Sequence, residues 1–137
     1  MKISIAQIRP IKGDILANTD KHRMLIELAS SLKATSIFFS ELSLTGYEPE
    51  LAIELATNQD DSRFDTFQRI SDTNKITIGL GMPTKTNIGI QISMIIFQPN
   101  TPRQTYSKQQ LHSDEFSYFV NGDKQIILTV ENEKIAP

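Results

Sequence analysis

The chain has no cysteine and no tryptophan among its 137 residues. The first absence excludes disulfides, thiolate metal ligands and a cysteine nucleophile within these residues, and it leaves the redox compartment open. Aromatic residues are sparse at 7%, and hydrophobic residues make up 39%, which suits one domain without a large core. No apolar run approaches the roughly 20 residues of a membrane span. Met1-Lys2-Ile3-Ser4-Ile5 alternates like a strand and does not open a signal peptide, so the cytoplasm is the expected compartment, with no membrane partner. An excess of one charge sign is also missing. With 14 Lys+Arg against 16 Asp+Glu the net charge is −2, which argues against a phosphate-backbone binder and hence a nucleic-acid partner. His22 and His112 are the only histidines, and neither has a partner at metal-ligand spacing, so no metal site is expected. His112 also lacks the spacing of a Ser/His/Asp triad.

What is present reads as an α/β pattern. Residues 2–8 form a strand candidate that Pro10 and Gly13-Asp14 end. An amphipathic stretch follows, Asn18–Lys33, with Asn18 as its cap and Met24, Leu25, Leu28, Ala29 and Leu32 on the core-facing side. Ser36-Ile37-Phe38-Phe39-Ser40 then reads as the second strand of a βαβ unit, which implies parallel pairing. Functional residues belong just past the carboxyl end of such a strand, where Glu41 stands. A short helix over 50–57 and a firmer one over 62–74 come next, the latter spacing Phe64, Phe67 and Ile70 three apart.

Two alternating runs follow. Ile76, Ile78, Leu80 and Met82 lead through a turn at Pro83–Asn87 into Ile88, Ile90, Ile92, Met94 and Ile96. They predict an antiparallel pair with one strongly apolar face and one of small or polar groups. Gly79-Leu80-Gly81 lies inside a strand and marks close packing, not a phosphate loop. Met24, Met82 and Met94 read as core fillers. Residues 98–125 read as loop, and Gln125–Val130 as a last strand.

Taken singly, Glu41 is a solvated charge at a strand end or a partly desolvated carboxylate able to take a proton. Lys108 and Glu115 alone read as surface and turn residues. Together the segments resemble the carbon-nitrogen hydrolase (nitrilase) superfamily. Ile5-Ala6-Gln7 with Gly13-Asp14 and Asn18 is similar to its opening, and Phe38-Phe39-Ser40-Glu41-Leu42-Ser43-Leu44-Thr45-Gly46-Tyr47 to its first signature. Ile78–Pro83 is similar to the strand before its central hairpin, and Tyr106-Ser107-Lys108 with Leu111 and His112 to its lysine signature. Glu115, Phe119 and Gly122 fit its second glutamate and the loop beyond.

The resemblance implies a four-layer αββα sandwich, here about half of it: a mixed sheet with helices on one face. It implies amidase-type cleavage of non-peptide C–N bonds in a small-molecule amide, with no cofactor. Glu41 would be the base, Lys108 the oxyanion's cation and Glu115 the residue that positions Lys108 and the leaving group; Tyr47 would touch substrate. The cysteine nucleophile of that mechanism follows a stretch like Glu133-Lys134-Ile135-Ala136-Pro137, where this chain stops. Residues 1–137 are therefore expected to be a single hydrolase domain cut short before its nucleophile strand, and inactive alone. A non-catalytic binding domain on the same scaffold is the alternative; a nucleotide-binding α/β protein ranks last for want of a phosphate loop. A half sandwich would bare Ile88, Ile90, Ile92 and Met94, which predicts a homo-oligomer.

Overall fold

The Gly13–Asp14 break starts a helix. Gly13 takes φ +65°, and Asp14 Oδ1 accepts the Ala17 N–H at 2.9 Å, so α1 runs Ile15–Ser31. The cap is thus Asp14 and not Asn18, which lies in the first turns of the helix with its side chain buried. A computed structural model describes the whole chain, Met1–Pro137.

α1 crosses between β1 (Ile3–Ala6) and β2 (Ser36–Phe39), which pair in parallel as expected of a βαβ unit. β3 (Thr77–Lys85) lies parallel to β2, and β4 (Ile90–Phe97) and β5 (Gln104–Ser107) add antiparallel, giving a sheet ordered β1-β2-β3-β4-β5. α2 (Ala52–Leu55) and α3 (Asp65–Asn74) fall in the β2–β3 connection, each entered through a single 3-10 turn. β5 lies within the stretch read as loop. The segment expected as one last strand is β6 (Leu128–Val130), hairpin partner of β7 (Glu133–Ile135).

The core-facing side of α1 differs from the expectation. Asn18, His22, Ile26 and Ala29 point inward, while Met24 is 70% exposed and Leu28 and Leu32 are exposed as well. Leu25 is half-buried at the margin. Apolar spacing alone picks out the stripe with the most hydrophobic residues. The true inner stripe contains two polar side chains whose hydrogen bonds are met inside the protein, which the pattern cannot show.

The β3–β4 register is the second correction. The turn is 86–89, not 83–87, and Lys85 pairs with Ile90, so even positions of β3 oppose odd positions of β4. A one-residue change in register moves a whole row to the other face. Ile78, Leu80 and Met82 therefore share the helix side with Ile95 and Phe97, packed with Phe64, Phe67, Ile26, Ile37 and Phe39. Each large apolar side chain buried there contributes about 1.5–3 kcal/mol. Ile90, Ile92, Met94 and Ile96 share the opposite face with Gly79 and Gly81. Pro83 fits in the strand because its carbonyl accepts from Thr57 N–H, so its missing donor falls on that side and not toward β4.

That far face is not bare. Ile90 and Ile92 are buried against Leu42, Ala52, Leu111 and Phe119, and Ile96 is fully buried; Met94 is half-buried and Ile88 alone stands out. The expectation that all four of Ile88, Ile90, Ile92 and Met94 would lie open fails because the chain folds its own 40–46 and 108–122 segments over them. Apolar exposure falls instead at β1, where Ile5 is 79% exposed, and along the helices, where Leu16, Met24 and Ile53 stand out as well. No helix is long and apolar enough to cross a membrane.

Candidate active site

β2 ends at Phe39, and Ser40 and Glu41 begin a tight loop that folds back over β3. Leu44 N–H donates to Gly81 O at 3.0 Å, and Leu42 adopts a left-handed φ of +51° to make the bend. The loop lies directly on Gly81. A Cβ there would overlap Leu42 N and Ser40 O and stand 2.8 Å from the carbonyl carbon of Glu41. The close packing expected of the Gly79–Gly81 stretch is found at both glycines, since a Cβ at Gly79 would press on Phe38 and Met94.

Lys108 follows β5 directly. Its N–H donates to Ile92 O at 2.8 Å and its carbonyl accepts from Gly122 N–H at 2.8 Å, so the backbone is held on both sides. Glu115 opens a 3-10 turn, Glu115–Ser117, and its Oε2 accepts the His112 N–H at 2.7 Å.

These three segments bring Glu41, Lys108 and Glu115 together. Lys108 Nζ lies 2.9 Å from Glu115 Oε1, 3.2 Å from Glu41 Oε2 and 3.4 Å from Glu41 Oε1. The two carboxylates differ in setting. The Glu115 side chain is 4% exposed and has both oxygens engaged, Oε1 taking the Tyr47 O–H at 3.3 Å as well. Glu41 is 39% exposed. Tyr47 thus spends its hydroxyl on Glu115, although its ring is half exposed. Beside the cluster is a cavity of about 160 Å³ edged by Glu41, Gly81, Met94, Tyr106 and Lys108. A larger polar cavity, about 500 Å³ near the β3–β4 turn, includes none of the three charged residues.

The model of the family described as carbon-nitrogen hydrolase matches residues 2–132. The chain belongs to the carbon-nitrogen hydrolase family. It is 24% identical over 142 residues to the glutamine-dependent NAD(+) synthetase of Aquifex aeolicus, covering 99% of this chain and 25% of that protein. Among solved structures, the NitN amidase from Nesterenkonia sp. AN1 superposes with a TM-score of 0.85 at 20% identity, over 99% of this chain and 55% of that one. XC1258 from Xanthomonas campestris, described as a CN-hydrolase superfamily protein, gives a TM-score of 0.87 at 18% identity, over 98% and 51%. The fold is thus that of nitrilase-superfamily structures, and the chain spans about half the length of those it matches.

Electrostatics in this carbon-nitrogen hydrolase chain follow from the geometry. Burial alone would lower the Lys108 ammonium, but hydrogen bonds and charge from Glu115 and Glu41 outweigh it and hold it above its ordinary 10.5. Burial alone would raise Glu115, yet the Lys108 ammonium and the His112 N–H bring its carboxyl below its ordinary 4.5. Burial first, then the nearby acids, pushes the Tyr47 phenol up, which keeps it a donor. Glu115→Gln, which replaces one acceptor oxygen by a donor amide, is expected to cost about 1–2 kcal/mol in a urea titration. An unchanged midpoint would show that the three bonds to Glu115 contribute nothing.

Sequence reasoning missed the residues under the loop. Asn18 read as a cap, and His22 was weighed only as a metal ligand. The available signal was two polar residues four apart on a helix, continued by Ile26 and Ala29 on the same stripe.

Proposed function

We propose that residues 1–137 are the amino-terminal part of an amidase-type carbon-nitrogen hydrolase domain, in which Glu41, Lys108 and Glu115 serve a cysteine that this chain lacks. The observation that carries the reading is Lys108 Nζ held between two carboxylates, 2.9 Å from one and 3.2 Å from the other, at the edge of a cavity.

Each residue suits its role on physical grounds. Glu41, the more exposed carboxylate, faces the cavity and is free to take a thiol proton and later to activate water. Lys108 keeps its proton, so a fixed cation faces the oxyanion that forms as an amide carbon is attacked. Glu115 is buried with its oxygens engaged, which suits holding Lys108 more than touching substrate. A small amide is the favoured substrate class, since a variant of the matched Nesterenkonia amidase is described in complex with butyramide, and two further variants of that amidase carry adducts at its active-site cysteine.

The second reading is a non-catalytic domain on the same scaffold, and the zero cysteine count favours it. Against it stands a buried glutamate kept beside a lysine, a costly arrangement without a use. The purified chain is expected to release no ammonia from butyramide; robust turnover abolished by Glu41→Gln would overturn the reading by revealing another nucleophile. Sequencing the gene past the Pro137 codon separates the two readings. A cysteine in frame within about one strand length supports the hydrolase, and a stop codon supports the scaffold.

A further inference from the structure

The inner stripe of α1 puts an imidazole in the main core. His22 is fully buried, its ring 4.1 Å between centroids from Phe39 and 6.2 Å from Phe67. Both ring nitrogens have partners, and the partners fix the proton. Nδ1 lies 2.7 Å from Asn18 O, a carbonyl that can only accept, so Nδ1 bears the hydrogen. Nε2 is then an acceptor, and Ser43 Oγ donates to it at 2.9 Å. Ser43 Oγ in turn accepts the Gly81 N–H at 3.1 Å. Every donor in this chain has one acceptor, and the direction cannot reverse because a backbone N–H stands at one end and a backbone carbonyl at the other.

The chain runs from helix to loop to strand. Asn18 reinforces it, its Nδ2 donating to Leu44 O at 2.9 Å and to Ile11 O at 2.8 Å. Two adjacent loop residues, Ser43 and Leu44, are thereby tied to α1, and both are also bonded to Gly81. Glu41 sits two residues before Ser43, over the same glycine.

We propose that His22 is a positioning residue for Glu41: through Ser43 it locks the 40–46 loop onto β3 and so sets the distance from the Glu41 carboxylate to Lys108. Its functional meaning rests on the reading of Glu41 as a base, but the geometric claim does not. Burial holds the imidazole at a pKa of about 4, so near neutrality it remains the uncharged acceptor that Ser43 requires.

A core-filling role and a positioning role predict opposite rankings of two variants. His22→Phe keeps an aromatic ring against Phe39 and Phe67 but offers Ser43 no acceptor. His22→Gln loses the ring but can present an amide oxygen to Ser43. Ser43→Ala breaks the same link with a small change of volume, so the comparison survives if the phenylalanine variant fails to fold. The readout is the titration midpoint of the Lys108 ammonium in ¹⁵N-lysine-labelled chain, with Glu41→Gln as the reference for complete loss of the contact.

His22→Phe and Ser43→Ala are expected to lower that midpoint by most of the shift seen in Glu41→Gln, and His22→Gln to leave it near that of the parent. Parent-like midpoints in both His22→Phe and Ser43→Ala would overturn the proposal. So would a reference variant that moves nothing, since no Glu41–Lys108 contact would then exist to be set. Because the readout needs no turnover, it fails or succeeds independently of the butyramide assay.

Discussion

Gly81→Ala is expected to destabilise the chain by about 3 kcal/mol and to release Glu41 from Lys108. The added methyl would meet Leu42 N, Ser40 O and the Glu41 carbonyl carbon, all backbone atoms of a loop bonded to α1 and β3 on both sides. Nothing there can turn aside, so the loop itself must lift. Gly79→Ala provides the control on the same face of the same strand. Its methyl would press on the Phe38 ring and the Met94 sulfur, side chains that are half-buried and free to rotate, and about 1 kcal/mol is expected. Urea titrations of the two variants decide the matter. If they are equally mild, the loop is not clamped as the backbone overlap implies.

Stability is expected to fall by about 3 kcal/mol between pH 6.5 and 4, with His22 as the cause. In the folded chain burial pushes this imidazole down to about 4, against an ordinary value of 6.5, and the bond to Asn18 O only partly opposes it. Between those values the unfolded chain binds a proton that the folded chain refuses. Stability therefore rises with pH through this window and is complete above the unfolded value. Glu115 and Asp72 act lower. Burial works against Glu115 but Lys108 prevails, and the Asn100 N–H chiefly holds Asp72 below its ordinary range, so their contributions are lost only as pH falls below about 4.5. Chemical denaturation at half-unit pH steps gives the curve, and His22→Gln should flatten it above pH 4.5. A slope that persists in that variant would assign the effect elsewhere.

Much of the architecture was legible because it rests on local order. The apolar run before Glu41 and the spacing of Phe64 and Phe67 each determine an element without reference to distant residues, and both elements lie where expected, whereas the helix after Gly13-Asp14 starts three residues before the expected Asn18. The β3–β4 register was not legible in the same way. Two alternating runs fit either of two turns, and the choice depended on which cover each face would receive. The candidate site was legible as three charged positions in the order the family resemblance implies, and the structure brings their side chains together, but their support was not legible. Asn18 reads as a cap and His22 as a histidine without a metal-ligand partner until Ser43, Leu44 and Gly81 arrive from elsewhere in the chain to satisfy them.

Leu42 ties these parts together. Its backbone sits in the left-handed region, which costs roughly 1–2 kcal/mol for a residue with a side chain, and its side chain is buried with Ile90, Ile92, Leu111 and Phe119. Leu111 and Phe119 belong to the stretch that bears Lys108 and Glu115. One leucine thus acts as a hinge pin between the arm carrying the acid and the arm carrying the cation, and the contacts that offset its strained backbone are the ones that join the arms. Loosening either arm withdraws apolar support from the other, and the contact it puts at risk is the one that spans them, Glu41 to Lys108.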